Sequence, residues 1–287
     1  MTTPVVYNPI PVRFRPFSGS VLKICAVVTM LVDHIGAGIL YPFLLWQNAF
    51  FDLTREQSIL VYRIFRGIGR TAFPIYCFLL VEGFFYTRHR LHYLLRLCLF
   101  ALLSEIPFDL ALVPGNASSN SLRVPEALRS NFNVYIMNQN VFWTLSVGLA
   151  VIWLIDASFR YAARRTAEQA HLRLPLHLAA ALVSFLAVLS GYYGADILRT
   201  DYGHTGVVLI VVFYLLYRIR PLMLVAGYGY LTMMMPNEAL ALPGVLMMLF
   251  YNGKRGFIRG NRGLQYFFYL FYPVHLTCLY VIRTFIL

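Results

Sequence analysis

Apolar runs of membrane-spanning length recur from one end of this chain to the other, and nothing else constrains its fold as strongly. In lipid, a run of about 20 apolar residues satisfies its own backbone hydrogen bonds by forming a helix. The predicted fold is therefore all-α, a polytopic membrane helical bundle. About nine helical spans are expected, at 20–41, 66–86, 91–113, 140–157, 174–192, 204–218, 221–235, 239–251 and 265–286. The run at 239–251 is short for a full crossing. Hydrophobic residues make up 59% of the 287 and charged residues 13%, with mean hydropathy +0.65, and no stretch reads as a separate soluble domain. One domain over residues 20–287 is expected, preceded by an arm at 1–19 with Pro4, Pro9, Pro11, Pro16, Arg13 and Arg15. The arm lacks an apolar core ending in small residues, so it reads as juxtamembrane and not as a cleaved signal peptide. The two halves do not repeat, which weighs against an inverted-repeat transporter.

A net charge of +12 would suggest a nucleic-acid ligand in a soluble chain. Here the basic residues fall on alternate sides of the spans instead. One side collects Arg13, Arg15 and Lys23, then Arg88, Arg90 and Arg96, then Arg160, Arg164, Arg165 and Arg173. The same side holds Arg218 and Arg220, then Lys254, Arg255, Arg259 and Arg262. The opposite loops are nearly balanced, with Asp52, Arg55, Glu56, Arg123, Glu126, Arg129, Asp196, Arg199, Asp201 and Glu238. The positive-inside rule then puts the N-terminus in the cytoplasm, with no nucleic acid required and the lipid bilayer as the first partner. Residues 114–139 form a long polar loop on the outer side. Residues 252–264 form a Gly- and Arg-rich loop on the cytoplasmic side, whose freed backbone N–H groups beside Lys254 and Arg255 suit a phosphate or simply anchor the membrane. Cys25, Cys77, Cys98 and Cys278 lie singly in apolar runs and read as small core residues.

Ionisable groups inside the spans point to function. Lys23 and His34 lie eleven residues apart in the first span, close to one helix face and about 16 Å apart along the axis. A rim cation and a deeper imidazole on one face suit a long anionic ligand whose reactive end reaches inward. Asp33 points about 100° away from His34, so it either orients the imidazole or pairs with an arginine of another span. Arg63, Arg66 and Arg70 rise on one face near the outer end of the second span, where they neutralise carboxylates or bind an anion. Pro74 is expected to kink that helix. Glu82 and the i, i+4 pair Glu105 and Asp109 are further intramembrane carboxylates. Asn140, Asp201, His204 and His275 place hydrogen-bonding groups in or at the ends of spans, with His275 a second base or substrate ligand. No ligand spacing favours a metal.

Together these strings resemble the TraX family of membrane acetyltransferases. The resemblance is carried by Leu22-Lys-Ile with Asp33-His-Ile-Gly36, Arg66-Gly-Ile-Gly-Arg-Thr-Ala-Phe-Pro-Ile75 and Leu80-Val-Glu-Gly-Phe-Phe-Tyr-Thr-Arg88. It continues through Ser104-Glu-Ile-Pro-Phe-Asp-Leu110, Gln139-Asn-Val-Phe-Trp-Thr-Leu145 and Asp201-Tyr-Gly203. It ends with Tyr251-Asn-Gly-Lys-Arg-Gly256 and Phe268-Tyr-Leu-Phe-Tyr-Pro-Val-His-Leu276. The Lys23–His34 spacing is also similar to the basic-X10-His arrangement of acyltransferase family 3 and the heparan-glucosaminide acetyltransferases. The resemblance implies a bacterial inner-membrane enzyme that moves acetyl from cytoplasmic acetyl-CoA to an amine or hydroxyl of an extracytoplasmic acceptor, a pilin-like protein or a glycan. On that reading Lys23, Arg88, Arg96, Lys254 and Arg255 serve the coenzyme A phosphates, and His34 with Asp33 serves the chemistry. Arg63, Arg66, Arg70, Glu82, Glu105, Asp109, Asn140, Asp201, His204 and His275 would then surround the acceptor. The rival expectation is a proton-coupled transporter using Asp33, His34, Glu82 and Glu105 as a relay.

Overall fold

The computed structural model describes residues 4–45, 53–113 and 124–286; among them the regular secondary structure is helical, joined by turns and loops, with three isolated β-bridges besides. The N-terminal arm leads into helix α1, Gly19–Ile35, whose first turn is capped when Ser18 accepts the Val21 amide. A π-helical segment, Gly36–Leu40, and the short α2, Tyr41–Leu45, continue it. α3, Arg55–Gly69, opens on a capping box between Thr54 and Gln57 and runs into α4, Ala72–Tyr86. α5 covers Arg90–Leu112, and two short helices follow, α6 at Val124–Ser130 and α7 at Phe132–Tyr135. The long pair α8, Val141–Glu168, and α9, Arg173–Ile197, comes next. The remaining helices are α10, Gly203–Leu215, α11, Arg220–Met234, α12, Leu242–Leu249, and α13, Arg262–Ile286.

Every predicted span coincides with a helix, though not always with its bounds. The break near the start of the second span falls at Arg70–Thr71, and Pro74 sits in the first turn of α4, where its missing N–H costs no helical bond. The proline therefore follows the break and does not kink a continuous helix. α12 is only 8 residues, about 12 Å long, and is preceded by a 3-10 turn at Pro236–Ala241. The predicted polar loop 114–139 carries α6 and α7; its residues 114–123 lie outside those described, as do Asp52 and Arg123. Among the described residues, four stretches are long and apolar enough to cross a membrane: Gly19–Leu44, Arg55–Tyr86, Val141–Glu168 and Arg173–Ile197. The chain is a helical membrane protein. On α9 the apolar side chains Leu174, Leu178, Leu182 and Phe185 stand exposed, as a helix packed against lipid requires.

One end of the bundle is tied together by the arm. The Tyr7 amide donates to the Arg218 carbonyl at 2.7 Å, and the Arg220 amide returns to Tyr7 at 2.9 Å. Asn252 donates to the Phe17 carbonyl at 2.9 Å and Gly19 to the Lys254 carbonyl at 2.8 Å. The arm, the 218–220 turn and the Gly-rich loop thus share one end, as the charge alternation requires. At the far end Gln139 donates to the Arg199 carbonyl at 3.0 Å. The main core lies where α1, α4, α8, α10 and α11 meet, around Leu22, Phe78, Ile152, Leu209 and Met223. Close approach of α9 to α8 requires Gly191, because a Cβ there would overlap Val151.

Candidate functional site

The last turn of α1 brings His34 against His275 of α13, with His34 Nδ1 and His275 Nε2 2.7 Å apart and the rings nearly parallel. His275 Nδ1 lies 2.6 Å from the Phe271 carbonyl oxygen. A carbonyl only accepts, so His275 Nδ1 carries a proton, and neutral His275 offers a lone pair at Nε2. His34 Nδ1–H then donates to that lone pair, and the hydrogen-bond partners thereby assign the proton-free nitrogen of His34 to Nε2. Tyr272 packs edge-on to His34 with centroids 5.7 Å apart. Two imidazoles and one carbonyl have fixed the tautomer of a nitrogen suited to take a proton.

Of the two expectations for Asp33, the structure shows the arginine pairing. Arg66 approaches its Oδ2 at 2.5 Å and Arg70 its Oδ1 at 3.2 Å. Arg70 also donates to Glu238 at 2.8 Å, and the Tyr202 hydroxyl donates to the same Glu238 oxygen at 3.4 Å. α3 can bring its arginines this close because Gly69 has no side chain; a Cβ there would overlap the Asp33 carboxylate. Glu238, 0% exposed, was read from sequence only as a loop charge. It is the one carboxylate after Asp201, a signal that a lone acid at a helix junction has a buried partner. His34, Asp33, Arg66, Arg70, Asp201 and Tyr202 line a cavity of about 400 Å³ at the far end of the bundle.

A second cavity, about 290 Å³, opens at the basic end. Lys23, Arg96 and Arg255 line it together with Glu82, and aromatic rings flank the cations. Lys23 Nζ lies 4.7 Å from the Phe268 ring centre, Arg96 5.5 Å from that of Tyr269 and Arg255 4.3 Å from that of Tyr86. Three cations with aromatic walls suit an anionic group attached to a flat or extended body. The Gly-rich loop is held to α1 by Ser20, which donates to the Arg255 carbonyl and accepts from the Ile258 amide, each at 3.0 Å.

The other predicted site residues are dispersed. Arg88 and Lys254 are exposed and do not line the basic cavity, and Arg63 is exposed on α3. Glu82 faces the basic cavity and accepts from the Tyr217 hydroxyl, so it lies apart from His34. Glu105 accepts from Asn140 and, at 3.1 Å, from the Trp143 indole, while Asn140 caps α8 and donates to the Ala101 carbonyl at 2.8 Å. Asp109 is buried one turn beyond Glu105. His204 pairs with Asp196 at 2.9 Å and stacks on Tyr192, outside the far cavity. The four cysteines are free thiols. No group of three or more His, Cys, Asp or Glu side chains among the described residues is placed to hold a metal ion.

Arg283, 1% exposed, escaped the sequence reading because it sits in the last apolar run like a terminal anchor. It donates to the carbonyls of Leu110 at 2.5 Å, Ala111 at 3.0 Å and Gly38 at 3.4 Å, joining α13 to α5 and to the π-helical segment after His34. Arg283→Met is expected to strip these carbonyls of a charged donor and lower stability by about 2–3 kcal/mol. Thermal unfolding in detergent measures this; an unchanged midpoint would show that the clamp carries no stability.

A family model described as TraX protein matches residues 18–283. A curated relative from Dichelobacter nodosus, named "Probable fimbrial assembly protein FimC, serogroup H1", is 27% identical over 271 residues, covering 92% of this chain and 94% of the relative. No solved structure matches.

Proposed function

The chain belongs to the TraX family, and from that premise we propose that it is a membrane acetyltransferase carrying acetyl from cytoplasmic acetyl-CoA to an acceptor outside the membrane. One observation carries the reading. His34 lines the far cavity, and Tyr272, packed edge-on against it, lines the basic cavity. Two chambers from opposite ends therefore approach each other at a single histidine. The basic end is taken as cytoplasmic and the bundle as crossing about nine times, on the charge asymmetry of its loops.

In this reading Lys23, Arg96 and Arg255 hold the coenzyme A phosphates, and the pantetheine arm runs along α1. Its extended length is comparable with the roughly 16 Å rise from Lys23 to His34. The acceptor enters from the far cavity. His34 Nε2 takes its proton as the amine or hydroxyl attacks the thioester carbonyl, so a C–N or C–O bond forms and the C–S bond breaks. The proton then passes to the departing coenzyme A thiolate. His275 accepts the hydrogen bond of the transient His34 imidazolium, and its tautomer is locked by Phe271. Asp33 is tied to Arg66 and Arg70 and acts on the shape and charge of the acceptor chamber. The name of the curated relative favours a pilin-like acceptor over a glycan.

Mass spectrometry of surface proteins and envelope glycans, with and without the gene, tests the reading; an acetyl mass difference on one of them is expected, and identical spectra would contradict it. Lys23→Ala is expected to weaken acetyl-CoA binding about tenfold or more, since a charge-assisted contact is worth roughly 1.5–3 kcal/mol. Ligand-induced shifts in melting temperature give the measurement, and an unchanged affinity would remove Lys23 from the phosphate site.

A further inference from the structure

Among the described residues Glu82 is the one carboxylate lining the basic cavity, and three cations share that lining with it. The sequence pattern set it among the neighbours of the acceptor, whereas α4 delivers it to the opposite chamber. Its depth follows from the helix ends. Gly19 and Ser20, at the start of α1, donate to the carbonyls of Lys254 and Arg255, and the Arg255 guanidinium lies over the ring of Tyr86 at the end of α4. The two helix ends therefore share one level. Lys23 is four residues in from the start of α1 and Glu82 four residues in from the end of α4, each about 6 Å inside.

A carboxylate at this level is at odds with a site for phosphate alone, since like charges repel. It gains from a ligand that also brings a hydrogen-bond donor, because an ionised carboxylate only accepts. Glu82 is 4% exposed, and the Tyr217 hydroxyl donates to its Oε2. Among the described residues no hydrogen bond reaches Oε1. Arg220, buried over the rings of Tyr217 and Tyr251 at 5.5 Å each, supplies the counter-charge from outside the cavity lining. The walls at this level are flat. Lys23 Nζ lies 4.7 Å from the Phe268 ring centre and 5.7 Å from that of Tyr269, and Tyr93 lines the cavity from α5.

We propose that Glu82 reads the base of the donor, its Oε1 accepting a hydrogen bond from an adenine 6-amino group while the phosphates lie on Lys23, Arg96 and Arg255. This rests on the acetyl-CoA reading above. The pantetheine arm leaves the level of Lys23 as it runs along α1, so the part of coenzyme A that stays level with Glu82 is its adenosine. Aromatic side chains stack on any base, because every base has a π-face. The rings therefore hold the purine, and the carboxylate selects one that carries an amino group. Glu82 is thus a specificity residue of the donor site and takes no part in the proton transfer at His34.

The test uses the full-length purified protein and compares, by thermal shift, the binding of coenzyme A with that of an analogue whose base is unsubstituted purine, adenine without its 6-amino group. The wild type is expected to bind coenzyme A about tenfold or more tightly than the analogue, the worth of a hydrogen bond to a charged acceptor. Glu82→Gln keeps the Tyr217 hydroxyl on its carbonyl and turns an N–H towards the cavity, so the preference is expected to fall by about tenfold or more. A merely structural Glu82 would change the stability of the variant and leave the ratio unmoved, which would overturn the assignment. Should the variant fail to fold, the wild-type comparison decides alone, and equal binding of the two compounds would overturn it. If neither compound shifts the wild type, the acetyl-CoA reading itself fails, and the role of Glu82 falls with it.

Discussion

Replacing His34 by alanine is expected to lower acetyl transfer by about 10²–10⁴-fold, the range a positioned general base contributes, while leaving the bundle assembled. The side chain is 9% exposed and partners His275, yet the surrounding wall is built by Tyr272, Phe108 and the Asp33 network, none of which depends on the imidazole. The loss should appear in the rate and not in acetyl-CoA affinity, because Lys23, proposed to hold the phosphates, lies about three helical turns away. His34→Gln separates geometry from chemistry: it keeps an amide for His275 but supplies no base, so it should be nearly as inactive as alanine. A variant with full transfer activity would sink the assignment of the base.

Arg70→Met carries the largest expected effect on stability, about 3–5 kcal/mol, the loss typical when one member of a buried ionic cluster is removed. Arg70 bridges Asp33 and Glu238. Asp33 keeps Arg66 after the substitution, but Glu238 retains only the Tyr202 hydroxyl for its Oε1, and its Oε2 has no hydrogen-bond partner to begin with. Adding Glu238→Gln to Arg70→Met should restore part of the loss, since the stranded charge is then gone. Unfolding of the two single variants and the double variant measures the coupling. Simple additivity would show that the pair does not act as a unit.

The helices were legible because lipid leaves an apolar run no other economical way to satisfy its backbone. The first half of α3 illustrates the limit. Its Arg55, Glu56 and Gln57 interrupt the apolar pattern, so the stretch before the arginine face at Arg63, Arg66 and Arg70 reads as a loop leading to a span, whereas its capping box and its packing against α1 make it helical. The break at Arg70–Thr71 and the π-helical turn after His34 depend on how α1, α3 and α5 meet, and no local signal encodes either. The same holds for the site. Asp33, His34, Arg66 and Arg70 stand out as ionisable groups within spans and Asp201 as one at the end of a span, and the fold gathers all five around one cavity. Which of them touch was not legible. His34 and His275 are 241 positions apart, and Asp33 reaches two arginines on another helix instead of its neighbour. Arg88 and Lys254 shared the charge and sidedness of Lys23, but charge pattern cannot distinguish a cation lining a cavity from one facing the solvent.

The two-chamber arrangement has its most direct test in the melting temperature of the purified protein with and without acetyl-CoA. A ligand at about 100 times its dissociation constant stabilises the native state by about 2.7 kcal/mol, so acetyl-CoA should raise the midpoint of the wild type clearly, raise that of His34→Ala equally, and raise that of Lys23→Ala less. A wild-type midpoint unmoved by saturating acetyl-CoA would contradict the acetyltransferase account; if labelled solute then exchanged across proteoliposomes without acetyl-CoA, the same two chambers would belong to a transporter.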